Sequence, residues 1–444
     1  MSDALIFCLI YLGALIVFGA TGFHVAVVIF VITIASVMLF FGPTMISPLA
    51  DLTWTVMNTY VLISIPLFVL MGEIMLRSGI SDRLYQALSM WVVRVPGRLL
   101  HSNIAACALF AASTGSTVAT AATIGTVALP ALKTRGYSVR LSCGSLAAGG
   151  TLGILIPPSI NMIIYGVMTD TSIGRLFMAG VVPGLLLAAT FMAVIALSAL
   201  VKPDIAPFNA ADVMPIRRRF AALPLIAPSL LVVAGVIGSI YSGLATPTEA
   251  AAVGVAMALV IGAGHRNSAG QRNLSMNALR QAFRSTARVT GMVMLIIVAA
   301  FQMSFVVGLL GIPQTISEWV RSLGLTSIQV LWVLLLIYMV LGCFLEGLSM
   351  MITTVPIVAP LVFGLGVDPV WFGIFIILVT ELALITPPVG INLYVIQGLR
   401  SDGSSIVDVI IGAIPFVIAI ASFTIVMIYF PQIALWLPDR MAGG

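Results

Sequence analysis

Apolar runs of about 17 to 25 residues, long enough to cross the hydrocarbon layer of a bilayer, recur along the chain near 4–20, 23–42, 59–77, 175–201, 222–241, 247–263, 289–310 and 405–430. Four further runs depart from that pattern. His101–Lys133 is apolar but interrupted at Ser113-Thr114-Gly115-Ser116-Thr117. Each half is only about a dozen residues, too short to span, which predicts a re-entrant hairpin over 99–134. Ile328–Val362 is interrupted at Leu345-Glu346-Gly347-Leu348-Ser349 and predicts a second hairpin over 328–363. The runs 141–168 and 371–397 are long enough to span, yet their centres read Gly149-Gly150-Thr151-Leu152-Gly153 before Pro157-Pro158, and Ile385-Thr386 before Pro387-Pro388. Two consecutive prolines remove two backbone donors and clash with the preceding turn. In hydrocarbon such a break survives only against protein, water or an ion. Both runs are therefore read as broken transmembrane helices.

The remaining segments are polar or mixed. Ser81–Val95 reads as a helix along the membrane interface, with Arg83 and Arg94 at headgroup level. Arg266–Arg288 is basic and amphipathic, and Pro313–Leu323 is short and polar. The one clear change of composition is Val201–Phe220, with Lys202, Pro203, Asp204, Pro207, Asp212 and Arg217-Arg218-Arg219. It divides the chain into a first half (1–201), a cytoplasmic linker (202–221) and a second half (222–444). The order of elements then repeats. The proline pairs lie 230 residues apart, and at the same offset Pro130 meets Pro360, Gly136 meets Gly366 and Thr123 meets Thr353. Two broken spans at matching places in two halves point to the binding site of a secondary transporter.

Charge sets the orientation. Threading these elements places 17 of the 20 basic residues on one side, including the base of the first hairpin (Lys133, Arg135, Arg140), the linker arginines, the 266–288 segment and Arg400. Only Arg175, Arg321 and Arg440 fall outside, a bias that marks the cytoplasmic face. The base of the second hairpin carries Asp368 and no cation, so the halves run antiparallel, with both termini outside. The expected fold is an all-α polytopic membrane protein: an inverted repeat with two re-entrant hairpins and two broken helices. Composition agrees, being 61% hydrophobic and 8% charged, against about 25% charged in soluble proteins. The first run follows Asp3 with no basic residue and no convincing cleavage site, so it reads as a retained span. Cys8, Cys107, Cys143 and Cys343 lie in apolar runs without metal-like spacing and read as small buried residues. The basic residues flank spans, which argues against nucleic acid as a partner. The histidines (His24, His101, His265) stand at predicted membrane edges. No Ser–His–Asp set, nucleotide loop or zinc spacing supports an enzyme or an ATP-driven pump.

The candidate chemistry sits at the breaks. Where one helix ends and another begins, carbonyls and amides lack helical partners. Carbonyl and hydroxyl oxygens suit Na⁺, and helix N-termini suit a carboxylate. The residues that could hold a small hard cation such as Na⁺ are Ser113, Ser116, Gly153 and Pro157 at one break and Glu346, Ser349, Thr386 and Pro388 at the other. The substrate is expected between the tips, against Thr114, Gly115, Thr117, Ser159, Asn161, Gly347, Gly390 and Asn392. An isolated hydroxyl or glycine in a membrane more often serves helix packing; clustering at two related breaks favours binding. Glu346 and Glu381 are the acids nearest mid-membrane and are functional candidates on that ground. Either could neutralise Na⁺, or could instead carry a proton or balance a helix terminus. For Glu381, inside a span, a structural hydrogen bond is at least as good a reading. Thr246 or Thr248 with Glu249 reads as a helix N-cap. No mid-membrane Arg or Lys is available to hold an anion, and Arg175 is expected at the outer rim.

Ala245-Thr246-Pro247-Thr248-Glu249-Ala250-Ala251-Ala252-Val253-Gly254 strongly resembles a signature of the large membrane subunit of tripartite ATP-independent periplasmic (TRAP) transporters. Ser113–Tyr137 and Ile385-Thr386-Pro387-Pro388-Val389-Gly390-Ile391-Asn392 are similar to its other hallmarks. The resemblance runs over nearly the whole chain. It implies a multi-pass bacterial inner-membrane protein of the ion-transporter superfamily that imports small organic acids (C4-dicarboxylates, sialic acid or related carboxylates) with Na⁺. It further implies two Na⁺ sites, one at each tip with its neighbouring broken span, an elevator movement of hairpins and broken spans against a fixed scaffold, a small four-helix membrane subunit and a periplasmic substrate-binding protein. Glu346 departs from the Asp expected there in many relatives. The alternatives are a stand-alone Na⁺- or H⁺-coupled dicarboxylate transporter or exchanger of similar fold, and a channel.

Overall fold

The computed structural model describes residues 11, 13, 24–209, 212–264 and 274–442. The expected span at 4–20, with Cys8, lies outside the described residues apart from Tyr11 and Gly13, as do His265, Arg266 and Arg272. Among the described residues every regular element is a helix. In the first half these are α1 (Val25–Phe40), α2 (Ile46–Met57), α3 (Ser64–Arg77), α4 (Ile80–Val92), α5 (Leu99–Thr114), α6 (Thr117–Thr134), α7 (Val139–Thr151), α8 (Ile160–Thr169) and α9 (Ile173–Val201). After the linker come α10 (Ile216–Ala222), α11 (Ala227–Tyr241), α12 (Pro247–Gly264), α13 (Met276–Leu309), α14 (Ile312–Ser322), α15 (Ser327–Leu341), α16 (Gly347–Gly364), α17 (Pro369–Ile385), α18 (Ile391–Gly398), α19 (Ile406–Tyr429) and α20 (Gln432–Ala442). Six helices are long and apolar enough to cross a membrane, or eight if two bent pairs each count as one span.

The broken segments fall where the glycines and prolines require. The α5–α6 pair breaks at Gly115-Ser116, and α7–α8 is interrupted by residues 152–159. The α17–α18 pair is interrupted by residues 386–390, and the peptide within each proline pair is cis. The helix boundaries keep the spacing of the proline pairs: α6 and α16 begin at 117 and 347 and end at 134 and 364, while α7 and α17 begin at 139 and 369.

Three expectations change. The arms of the first hairpin have 16 and 18 residues rather than a dozen, because α5 begins at Leu99 and only Gly115-Ser116 of the polar cluster is unwound; the second hairpin's arms have 15 and 18. Length alone therefore does not force re-entry; contacts at the tips position them instead. The second hairpin breaks at 342–346, earlier than the polar cluster suggested, since Gly347, Leu348 and Ser349 form the first turn of α16. Pro313–Leu323 is a helix, α14, set at 119° to α15. The expected interfacial helix is α4, whose buried face comprises Ile80, Ser81, Leu84, Tyr85 and Ala87.

Two packing systems organise the molecule. On one side α3 lies against α12, so closely that a Cβ on Gly254 would stand 2.5 Å from the Met71 sulfur. Alongside, α13 packs on α1, where the Thr33 hydroxyl faces the Met303 sulfur at 3.7 Å. On the other side α7 crosses α19 at Gly144 and Gly412, where a Cβ on either would overlap the backbone carbonyl of the facing helix. Small residues permit such close crossings. The linker folds under the first hairpin: the Ser138 N–H donates to the Ile205 carbonyl at 2.9 Å, Arg135 pairs with Asp212 at 3.2 Å, and Arg98 lies 5.1 Å over the Phe208 ring.

Candidate functional site

At the first tip, Gly115 ends α5 in the left-handed region, at φ +60°, which only glycine adopts without strain. Ser116 then caps α6, its hydroxyl accepting the Ala119 N–H at 3.4 Å. Thr114 and Thr120 join their hydroxyls at 3.0 Å, and Thr120 also donates to the Ser116 carbonyl at 2.7 Å. Ser113 donates to the Leu109 carbonyl at 3.4 Å. The facing break is capped by Ser159, which accepts the Met162 N–H at 3.4 Å and donates to the Ile154 carbonyl at 2.6 Å. Glycines bring tip and break together. A Cβ on Gly115 would stand 2.8 Å from the Pro158 carbonyl oxygen, and one on Gly153 would stand 2.7 Å from that of Ser116. The structure thus joins Gly115, Ser116 and Gly153 with the first break. Ser113, Thr114, Thr117, Pro157, Ser159 and Asn161 are buried around them.

At the second tip, Glu346 is the N-cap of α16. Its carboxylate accepts the Ser349 N–H at 3.1 Å and the Ser349 hydroxyl at 2.9 Å. Gly347 lies against Thr380 of α17, where a Cβ would meet the Thr380 methyl at 2.5 Å. Beyond it, Thr386 donates to the Leu382 carbonyl at 2.6 Å, and Gly390 closes the turn onto Thr386 at 3.1 Å. Asn392 reaches across to the first half, its Nδ2 donating to the Ala147 carbonyl of α7 at 3.1 Å.

A cavity of about 480 Å³ opens between these parts. Phe344, Leu345, Glu346 and Ser349 line it from the second hairpin, Val118 from the first, and Val389 and Ile391 from the second break. The rest of the lining is His24, Val25 and Val28 of α1, where His24 is the residue before the helix, and Met292 and Ile296 of α13. Of the candidates named from sequence only Glu346 and Ser349 line it. Thr386, Pro388 and Gly390 belong to the break that contributes Val389. Sequence reading passed over His24; its place at the start of a span was the only available signal.

Glu381 does not have the hydrogen bond expected for it. It is fully buried, and neither carboxylate oxygen has a partner among the described residues; the Asn392 Oδ1 and Thr380 hydroxyl share that condition. Apart from Thr380, its neighbours on α17 are apolar, and the Thr380 hydroxyl does not reach it. Glu249 fits its capping reading. Its carboxylate accepts the Thr246 N–H at 2.8 Å while the Glu249 N–H reaches the Thr246 hydroxyl at 3.4 Å, a reciprocal capping box. Arg175 pairs with Asp439 at 3.4 Å. Among the described residues no three His, Cys, Asp or Glu side chains gather as a metal cluster.

A family model described as the tripartite ATP-independent periplasmic transporter DctM component matches residues 12–433. The C4-dicarboxylate TRAP transporter large permease protein DctM of Pseudomonas aeruginosa is 34% identical over 91% of this chain and 92% of its own. The sialic acid TRAP transporter large permease SiaM of Vibrio cholerae is 30% identical over 87% and 88%. The ectoine/5-hydroxyectoine permease UehC of Ruegeria pomeroyi is 32% identical over 85% and 86%. Among solved structures, the MtrF efflux pump of Neisseria gonorrhoeae aligns with a TM-score of 0.55 at 14% identity, over 98% of this chain and 95% of that one. The YdaH transporter of Alcanivorax borkumensis aligns with a TM-score of 0.52 at 14% identity, over 86% and 88%. At that identity the likeness concerns fold alone.

Proposed function

The chain belongs to the DctM family of tripartite ATP-independent periplasmic transporters, which makes it a multi-pass inner-membrane transporter subunit and not an enzyme, and on that premise we propose that it imports a small organic acid together with Na⁺. C4-dicarboxylates, sialic acid and related carboxylates define the substrate class. A small membrane subunit and a periplasmic binding protein complete the machine. The two halves form an inverted repeat. Hairpins and broken spans (99–169 and 327–398) travel as an elevator against a scaffold that includes α1, α3, α12 and α13.

The observation that carries this reading is the cavity between the two hairpins, the second break and the scaffold, with the Glu346–Ser349 pair on its wall. Met292 stands one turn beyond Arg288, on the face that the basic loops mark as cytoplasmic, so the cavity belongs to an inward-facing state. Two coupling ions fit the two tips. One is held at the first tip by Ser113, Ser116, Gly153 and Pro157, the other at the second by Glu346, Ser349, Thr386 and Pro388. The substrate lies between them, toward Thr114, Gly115, Thr117, Ser159, Asn161, Gly347, Gly390 and Asn392. Bare polar tips are costly to carry through a low-dielectric region, so movement requires cargo.

Uptake of a panel of labelled acids into proteoliposomes, with and without a Na⁺ gradient and the binding protein, tests this. Uptake is expected to need both. Glu346→Gln is expected to raise the Na⁺ concentration for half-maximal uptake about tenfold, the size of one charge-assisted contact. Uptake that needs Na⁺ but no binding protein would make the chain a stand-alone transporter. Indifference to Na⁺ would remove the ion sites.

A further inference from the structure

The cavity wall outside the second hairpin contains a single polar side chain, His24. His24 precedes α1 and its Nδ1 accepts the Ala26 N–H at 3.4 Å. An imidazole nitrogen that accepts a backbone N–H carries no proton, so in the neutral ring the hydrogen is on Nε2, the nitrogen left free. The other lining side chains are apolar except Glu346 and Ser349, and the Ser349 hydroxyl hydrogen is committed to the Glu346 carboxylate at 2.9 Å. Among the described residues His24 is therefore the one donor on the cavity wall still available to a ligand. Its position is fixed by the scaffold, since α1 packs along α13.

We propose that His24 is a substrate-binding residue of the inward-facing cavity, donating its Nε2–H to a carboxylate of the organic acid before release to the cytoplasm. The inference rests on the organic-acid reading above. Among the described residues no lysine or arginine lines the cavity to hold an anion, and the hairpin wall carries a carboxylate of its own. The Glu346 side offers an acid entering this cavity no free hydrogen-bond donor, and the donor lies on the scaffold side. The remaining wall, Val25, Val28, Val118, Ile296 and Phe344, contacts a short carbon skeleton. His24 would thus act on one face of the transport cycle only.

The test compares the two faces in proteoliposomes of the complete transporter, using the labelled acid that the parent takes up best in the panel. The same acid inside the vesicles occupies the inward-facing cavity and slows uptake. His24→Leu is expected to raise the internal concentration that halves uptake about tenfold and to change the external KM less than twofold. His24→Gln, which keeps an N–H donor, should stay within about threefold of the parent. Val118→Cys supplies a readout that needs no turnover. Internal substrate should protect it from maleimide in the His24 background and fail to do so in His24→Leu. Equal shifts on both faces, an unchanged internal constant in His24→Leu, or protection that persists without the imidazole would each overturn the assignment. Uptake that ignores Na⁺ or the binding protein counts against the coupled, tripartite reading instead, because the maleimide protection is read without turnover and needs neither.

Discussion

At the scale of single residues, the polar atoms at the breaks fall into two kinds. Some are engaged: Ser116, Ser159 and Glu346 each cap a helix with the same side chain that was named for ion or substrate binding. Capping does not compete with binding, because a hydroxyl or carboxylate oxygen has further lone pairs. It does mean that Ser116→Ala removes a cap, worth about 1 kcal/mol, whatever else it removes. Others are unengaged, Glu381 above all. An ionised carboxylate buried without a partner costs several kcal/mol, and nothing among the described residues offsets that for Glu381. Its place near the second break does not by itself make it a coupling site. Glu381→Gln, neutral and of nearly the same shape, is expected to yield monodisperse protein with uptake within about threefold of the parent. Glu381→Lys places a longer cation in the same apolar site and is expected to leave almost no folded protein on size-exclusion chromatography. A Gln variant with uptake abolished but folding intact would show that the charge is used. His24 marks the limit of residue-scale reading from sequence. Its Nδ1 cap is local, but the cavity beside it is shared with a hairpin more than 300 residues away, which no local pattern encodes.

At the scale of elements, helix crossings carry the sharpest demands. Gly144 of α7 and Gly412 of α19 meet backbone to backbone, and a carbonyl cannot swing aside as a side chain can. Gly144→Ala is expected to cost about 1–3 kcal/mol through overpacking, lowering the melting temperature of the detergent-solubilised protein by several degrees. Gly238→Ala in α11, where a Cβ would have nothing within 4 Å, should leave it unchanged or raise it slightly, since alanine suits a helix better. The element pattern was largely legible in the chain. Run length and the proline pairs located the spans and both broken helices, because a twin proline forbids a continuous helix in any context. The break within the second hairpin was read about three residues late for a definite reason. Glu346, Gly347 and Ser349 form a polar cluster, but Glu346 is a good N-cap, so the cluster begins a helix and the unwound turn precedes it, with Phe344 exposed. The arms of the first hairpin were underestimated because the whole polar cluster Ser113–Thr117 was read as the break, whereas Ser113, Thr114 and Thr117 lie within the helices α5 and α6.

At the scale of the whole molecule, the elevator reading requires the first hairpin to slide along the scaffold, and one contact makes that requirement testable. Gly72 of α3 abuts the end of α5: a Cβ on Gly72 would stand 3.3 Å from the Cβ of Thr114 and 2.9 Å from its Cα. That separation is near the range a disulfide needs, about 3.5–4.5 Å between Cβ atoms. The extra atom on Gly72 must displace the tip slightly, so Gly72→Cys alone and Thr114→Cys alone serve as controls for crowding and for loss of the threonine hydroxyl. In the double variant, a mild oxidant is expected to form the bond and to stop uptake by more than tenfold, with recovery after reduction. If hairpin and α3 instead move as one body, the bond forms and uptake continues at the rate of the reduced protein. The scaffold would then have to exclude α3 despite its packing on α12, and movement would be confined to parts beyond the first tip. The linker sharpens the choice. Its contacts with the base of the same hairpin, through Ile205, Phe208 and Asp212, lie at the opposite end from Gly72. A hairpin free to slide must carry that strap with it or release it. Breaking Arg135–Asp212 by Asp212→Asn should therefore leave the oxidised double variant arrested, since the block resides at the tip and not at the base.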